Sequence, residues 1–505
     1  MPSAPPSLRP PGSPWRHALE GALSVATAVL AMAAAAWAAL TVLGAEAIAP
    51  VSRLVPTMVS MAVGGGVTLE SPSSAASAEG GLGGGLGGLG GGGGGGLSLG
   101  LTGEAALTPL MLTFLGTAVL TIGFFRPLRR RRRPAALLLW ARCGGALVTT
   151  AVVLPILAGV AQGTARLPES VTERFGKGAS SGALSRFGGG DGGGGLAEGL
   201  SSAVFETDTA ATVILGLLGV GAVLALGCLA ARRTALPRPL ALSRLRLKWN
   251  AVTSTLTGIG AVLCFSALVV ALLAGAAALT GRDQAAKAAG LLLLLGPNLI
   301  AALLTVGLGT SWQADMERLQ PEGGGMLGML GGLGAGQTDE AGRDRSIDLG
   351  AWSGAGVPVW LIAMMLMLLL LVIAGYVASA RTPARTARED SEALLDRHAQ
   401  IALRTGIAVG VSALLLPLLA QGSVRIGISL MGNEMGGVTA WLSGGPGLSA
   451  LTGFVIASLA SYAGSRLHSR RVRRSGPTPQ GRGTTGGRTA AARPTRPGVP
   501  SDTVS

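Results

Sequence analysis

The sequence predicts an all-α polytopic membrane protein made of two parallel-duplicated halves. Each half carries four transmembrane helices and one re-entrant or interfacial segment on the outer face. Three observations lead there. Of 505 residues, 49% are hydrophobic and 13% charged, against about 25% charged in soluble chains. Apolar runs of roughly 20 residues recur, the length that spans a hydrocarbon core of ~30 Å. A pattern also occurs twice: Arg142 lies thirteen residues before Pro155 across an apolar run, and Arg404 lies thirteen before Pro417. Each proline is followed by Leu and Ala, then by Gln-Gly (Gln162-Gly163, Gln421-Gly422), with an arginine four residues after the glutamine (Arg166, Arg425).

The elements follow in order. Residues 1–14 are rich in Pro and Ser and are expected to be disordered; the first membrane half covers 15–235. Its first span, 19–43, is alanine-rich on all sides and so should pack among other helices; the run is too long for a signal peptide. Ala31, Ala35 and Ala39 offer a small-residue stripe for that packing. A shorter segment, 51–67, contains Pro56 and closes in Gly64-Gly65-Gly66. The glycine tract 80–100 cannot build a core and reads as flexible loop. Spans two to four follow at 107–125, 135–160 and 210–231, with a Gly/Ser loop before the fourth. Glycines from Gly216 to Gly227 suggest that span four packs unusually closely.

After a basic linker at 236–248, the second half covers 249–464 and restarts at Trp249 as the first does at Trp15. Its spans are 252–279, 357–378, 401–420 and 448–463. Segment 291–309, interrupted at Gly296-Pro297-Asn298, matches the Pro56 segment, with Gly307 and Gly309 answering Gly64 and Gly66. Residues 465–505 form a basic tail without periodicity, expected to be disordered.

Charge sets the orientation. Residues 126–133 hold six arginines, 232–248 six cations, 381–400 four and the tail nine, and these rich loops alternate with poorer ones if each half has four spans. The positive-inside rule then puts both termini in the cytoplasm of a cell-membrane protein. Under that scheme the Pro56 and Pro297 segments enter from the outer face and return, or lie along it. Trp15, Trp140 and Trp249 fall at the inner boundary, and Trp312, Trp352, Trp360 and Trp441 near the outer one. The net charge of +15 belongs to this membrane pattern and not to nucleic-acid binding.

No catalytic constellation is visible, and the chain reads as a non-enzyme without cofactor or metal. Cys143, Cys228 and Cys264 lie in separate spans without a CxxC, and His17, His398 and His468 flank spans as solvated or headgroup residues. All 25 acidic residues fall outside the apolar cores, which argues against ion coupling. Gly176-Lys177 has Val171 where a Walker motif needs glycine. Three features are candidates. Arg142 and Arg404 offer an anion or anionic-headgroup site at the inner face, or simply snorkel to the interface. Pro56 and Pro297 mark interrupted segments of the kind that build transporter sites, where Asn298 could contact a small polar solute. The glycine-rich outer loops serve as spacers or contact an envelope partner.

With its spans, poly-glycine outer loops, arginine-heavy inner loops and Arg-to-Pro repeat, the chain resembles the streptophobe family of very hydrophobic actinobacterial membrane proteins over about residues 15–474. The resemblance implies an integral protein of the cell membrane and assigns no activity. Two readings of function stand: an organisational or envelope-associated protein, or a permease or lipid carrier with its site between the halves.

Overall fold

The computed structural model describes residues 13–71, 99–130, 135–166, 202–231, 236–237, 242–278, 283–319, 347–348, 353–354, 357–382, 395–430 and 433–475. Most of the glycine tracts, Trp352, the first twelve residues and the tail beyond Ser475 lie outside them.

Ten α-helices make up the bundle among the described residues. They are α1 (Pro14–Leu43), α2 (Val51–Ala62), α3 (Leu110–Arg130), α4 (Ala136–Val160), α5 (Thr209–Ala230), α6 (Arg244–Ala278), α7 (Asp283–Val306), α8 (Val359–Arg381), α9 (Arg397–Ala420) and α10 (Pro446–Ser475). All but α2 are long and apolar enough to cross a membrane, which gives nine such helices among the described residues where the sequence reading counts eight. The one beyond those eight is α7; although long enough to cross, it ends beside Leu308, packed inside the bundle against Leu371, Val409 and Ala413, and the chain turns back through Gly309 to β5 of the sheet. It runs unbroken through Pro297, so the interruption expected at Gly296-Pro297-Asn298 does not occur. One proline removes one backbone bond, and packed neighbours hold the rest of the helix in register. Helix limits also differ from the sequence reading. Helix α10 continues through Arg474, into what reads as tail, and α6 begins at Arg244, inside what reads as linker.

Strands form at the helix ends where the sequence reading saw only loop. An eight-stranded sheet has the order β3-β4-β1-β2-β9-β10-β5-β6. Its strands are β1 (Val67–Glu70), β2 (Leu99–Leu107), β3 (Gly163–Arg166), β4 (Ser202–Thr207), β5 (Trp312–Leu319), β6 (Ile347–Asp348), β9 (Gly422–Leu430) and β10 (Asn433–Gly444); β7 (Ser353–Gly354) and β8 (Val357–Pro358) pair separately. The expectation of an all-α chain is corrected to a helical membrane bundle bearing an antiparallel sheet. The join at the centre is β2 with β9, from Leu99 opposite Leu430 to Leu107 opposite Gly422. Each long strand leads directly into or out of a helix end: β2 into α3, α9 into β9, β10 into α10. The sheet therefore sits at one end of the bundle, and the other helix ends carry the arginines.

Two helices reach the sheet through the same turn. At the end of α2, Gly65 donates to Ser60 O at 2.9 Å and Gly64 to Met61 O at 3.0 Å; at the end of α7, Thr310 donates to Thr305 O at 3.1 Å and Gly309 to Val306 O at 2.9 Å. The pivot glycines have φ of 105° (Gly64) and 85° (Gly309), a left-handed conformation that closes a helix when no Cβ opposes it. Pro56 lies eight residues before Gly64, whereas Pro297 lies twelve before Gly309. The two prolines are thus offset by about one helical turn, and Gly309, not Gly307, answers Gly64.

Small residues set the helix spacing. A Cβ at Gly145 of α4 would collide with the backbone of Ala18 in α1, and one at Gly21 would collide with the backbone of Arg142. The same reciprocity joins α8 and α10, where Gly375 faces the Ser461 backbone and Gly464 the Val372 backbone. Lipid gives helices no hydrophobic reason to associate, so close backbone approach supplies the dispersion contact. The buried face of α1 is Ala28, Met32, Ala36 and Ala39, one step round from the expected stripe, with Ala31 and Ala35 half-exposed. Span four does not pack closely as expected. Gly216 and Gly227 meet neighbours, but Gly219 and Gly221 have nothing within 4 Å. Trp312 stands at the sheet end, at the start of β5, but inside the protein: it is fully buried, and its indole N–H donates to Thr305 Oγ1 at 2.8 Å.

Substituting Gly145 with leucine is expected to destabilise the bundle by about 1–3 kcal/mol through overpacking. Gly144→Leu, where a Cβ meets nothing within 4 Å, serves as the neutral control. Thermal unfolding of the purified protein in detergent compares the two.

Candidate functional site

At the arginine-bearing end, Arg142 is 2% exposed. Its guanidinium donates to Glu20 Oε2 at 2.9 Å and to Gly123 O at 2.9 Å, and lies 5.0 Å from the Phe124 ring centroid. One side chain on α4 therefore ties α1 and α3 together. Glu20 also receives His17 Nδ1 at 3.2 Å, and His17 is buried, not solvated as its flanking position suggested; Glu20 itself lies within α1, which corrects the reading that every acidic residue falls outside the apolar spans. A buried cation held by a carboxylate and a carbonyl of the protein neither snorkels nor presents an open anion site. Arg404 is half-buried and differs from it, donating to Lys248 O at 2.9 Å and Gln400 Oε1 at 3.1 Å. The repeat in sequence thus carries two unlike environments.

Two further arginines escape a reading of spans. Arg246 is buried and donates from Nε to Cys228 O at 3.0 Å and from Nη2 to Ala231 O, the last carbonyls of α5, where Asn250 also donates to Leu229 O at 2.6 Å. Arg397 donates to Ser379 O at 3.3 Å and Thr382 O at 2.6 Å at the end of α8. The final carbonyls of a helix have no partner within it and carry the negative end of its dipole, so guanidinium groups there do the work of a cap. The signal was basic residues at the start of the next helix, but only proximity in space reveals which helix end each one serves.

At the sheet-bearing end, Asn298 is buried on α7. Its amide donates to Thr108 O at 2.8 Å and its Oδ1 accepts from Leu110 N at 2.9 Å. Both amide functions are used to fasten α7 to the first turn of α3, which withdraws this side chain from the solute-binding role expected of it. Helix α7 also rests on α1, where a Cβ at Gly290 would lie 2.6 Å from Leu43 Cγ, and its end meets the Ala363 backbone of α8 at Gly307. Pro56 is buried inside α2. Pro297 lines a cavity of about 440 Å³ whose walls include Ile259, Leu304, Leu371 and Leu416. Neither proline nor Asn298 shares a cavity with the inner arginines among the described residues. The structure does not assemble the five candidate residues into one site.

What it assembles instead is a set of three cavities around α3. The first, of about 430 Å³, lies beside the sheet and is lined by Gly64, Thr108, Gln421, Ser423, Trp441 and Ser443, among others. The second, of about 520 Å³, is bounded by α1, α4 and α5 with residues such as Val29, Leu154 and Val220. The third is the apolar cavity at Pro297.

The sheet itself is two-faced. Met316, Val424, Ile426 and Val438 share one face by register and are 55%, 40%, 42% and 38% exposed. Glu104 opposite Arg425, and Arg425 opposite Thr439 and then Glu317, form a charged row on the other. Among the described residues no group of three His, Cys, Asp or Glu side chains could hold a metal ion.

The fold is that of a multi-pass helical membrane protein with a sheet at one end. No family model matches the chain, and neither a curated protein nor a solved structure matches it.

Arg142→Met is expected to cost about 1.5–3 kcal/mol, the worth of buried hydrogen bonds to a charged group, and Arg404→Met no more than about 1 kcal/mol. Denaturation midpoints of both variants in the same detergent check the order; equal losses would mean that the two environments are equivalent.

Proposed function

We propose that this chain is a non-enzymatic, organising protein of the cell membrane whose working surface is the sheet, held outside the bilayer. The observation that carries the reading is the row Met316, Val424, Ile426 and Val438, four exposed apolar side chains on one sheet face, beside the Arg318 position paired with Val438. Water-exposed apolar rows on a paired sheet mark docking surfaces. Orientation follows from the arginines at the opposite helix ends, which favour the cytoplasm for both termini. Anionic lipid headgroups are the partners for exposed basic residues there, such as Arg470 and Arg471.

We further infer that the two halves arose by duplication and stand the same way up. The strand order supports this: β3-β4-β1-β2 is followed by β9-β10-β5-β6, the same sequence of positions in each half. The matching turns at Gly64 and Gly309 support it as well. The likeness to streptophobes agrees with such a protein. Carriage of a polar solute finds less support, because the cavity at Pro297 is walled by leucine and isoleucine and Asn298 is committed to backbone.

In a strain lacking the gene, the double substitution Val424→Lys and Ile426→Lys is expected to leave membrane abundance unchanged, since both side chains are exposed, and to abolish complementation under envelope stress. Purified wild-type protein in liposomes is expected to carry no sugar, amino acid or inorganic ion. Full complementation by the double variant, or saturable solute uptake, would overturn the reading.

A further inference from the structure

The three cavities adjoin one another around α3 in the arrangement of a fork, each neighbouring pair sharing lining residues. Gly64 and Thr108 line both the sheet-side pocket and the 520 Å³ cavity. Thr113 and Thr117 of α3, with Leu415 and Leu419 of α9, line both the 520 Å³ and the 440 Å³ cavities. Leu418, between those two leucines, reaches the sheet-side pocket. A polar chamber beside the sheet thus adjoins two apolar limbs, one on each side of α3.

From this shape we propose that the protein binds a single two-chain lipid with an uncharged polar headgroup, the head beneath the sheet and one chain in each limb. The inference goes beyond the organising role above and does not depend on it. Chain placement follows from the limbs. The first is walled by Val29, Leu120, Leu154 and Val220, and the second by Ile259, Leu263, Leu304 and Leu371, with almost no polar side chain beyond the threonines and one serine. A hydrocarbon chain there removes apolar wall from contact with anything less compatible. Headgroup charge follows from the chamber. Its lining offers the hydroxyls of Thr108, Ser423 and Ser443, the amide of Gln421 and glycine backbone, with no Asp, Glu, Lys or Arg among the described lining residues. Hydroxyls and amides donate and accept, as a sugar or glycerol head requires, whereas a phosphate head would call for a guanidinium or ammonium partner. The fork requires two chains, because a single chain leaves one limb empty.

The full-length protein in mixed micelles tests this with three probes: glucosyl dioleoylglycerol, dioleoyl phosphatidylglycerol and glucosyl mono-oleoylglycerol, with retention measured by native mass spectrometry. The first is expected to be retained at least about tenfold better than either of the others, equivalent to about 1.4 kcal/mol. Leu419→Trp, at the wall shared by both limbs, is expected to abolish that preference. Val262→Trp on the exposed surface of α6, which lines none of the three cavities, is expected to keep it. Thr117→Trp approaches the same wall from α3 and stands in if the Leu419 variant does not fold. Equal retention of the anionic or the one-chain probe, or undiminished preference in both wall variants, would overturn the proposal.

Discussion

In hydrocarbon no water is present to satisfy a backbone amide or carbonyl, and every part of this molecule answers to that constraint. Within spans the helix satisfies its own backbone. At the helix ends it cannot, and there the chain uses other groups. Guanidinium side chains reach the terminal carbonyls of α5 and α8, through Arg246 and Arg397. At the opposite end the backbone passes into strand pairing within two residues of α3, α4, α5, α8, α9 and α10, as where Gly422 of β9 follows α9 after Gln421. Between those two solutions, Asn298 satisfies the free Leu110 N–H at the start of α3.

The arginines therefore have two kinds of work. In the proposed topology their number sets orientation, a property of long-range charge. Their individual positions set local structure, a property of hydrogen-bond geometry. Arg142 makes the difference plain: its charge is neutralised by Glu20 from another helix, and its value lies in joining three elements where α1 and α4 already touch through Gly21 and Gly145. A cation so placed is costly to bury and stable only because each of its partners is fixed in place.

The sheet and the cavities follow from how α3 and α9 sit. Strand β2 feeds α3 and strand β9 continues α9, so pairing β2 with β9 brings those two helices to the middle of the bundle. Their facing side chains, Thr113 and Thr117 against Leu415 and Leu419, leave space on both sides. Beyond the helix ends the same strands extend outward with one charged and one apolar face, the period of two expected of a half-buried sheet. Here, however, the apolar side is open past Leu442.

Much of this was legible in the order of residues. Apolar runs of membrane length and arginines at span ends are local or periodic signals, because a helix repeats every 3.6 residues whatever surrounds it; the glycines at helix crossings were not, since span four was expected to pack through its glycines while the reciprocal close approaches fall at Gly21, Gly145, Gly375 and Gly464. Alternation in Val424, Ile426, Ile428 and Leu430 was also present, but a strand is stable only with a partner, and β9 finds its partners in residues 99–107 and 433–444. For the same reason Pro297 looked like a break and became a helix interior, Asn298 looked available and became a clasp, and Arg142 and Arg404 looked alike and diverged. By itself the sequence determined that the chain is membrane-embedded, where its spans run and which helix ends are basic. Only the tertiary structure decided which carbonyl each arginine caps, that a sheet joins the halves, and that apolar cavities lie on both sides of α3, because each depends on groups far apart along the chain meeting in space.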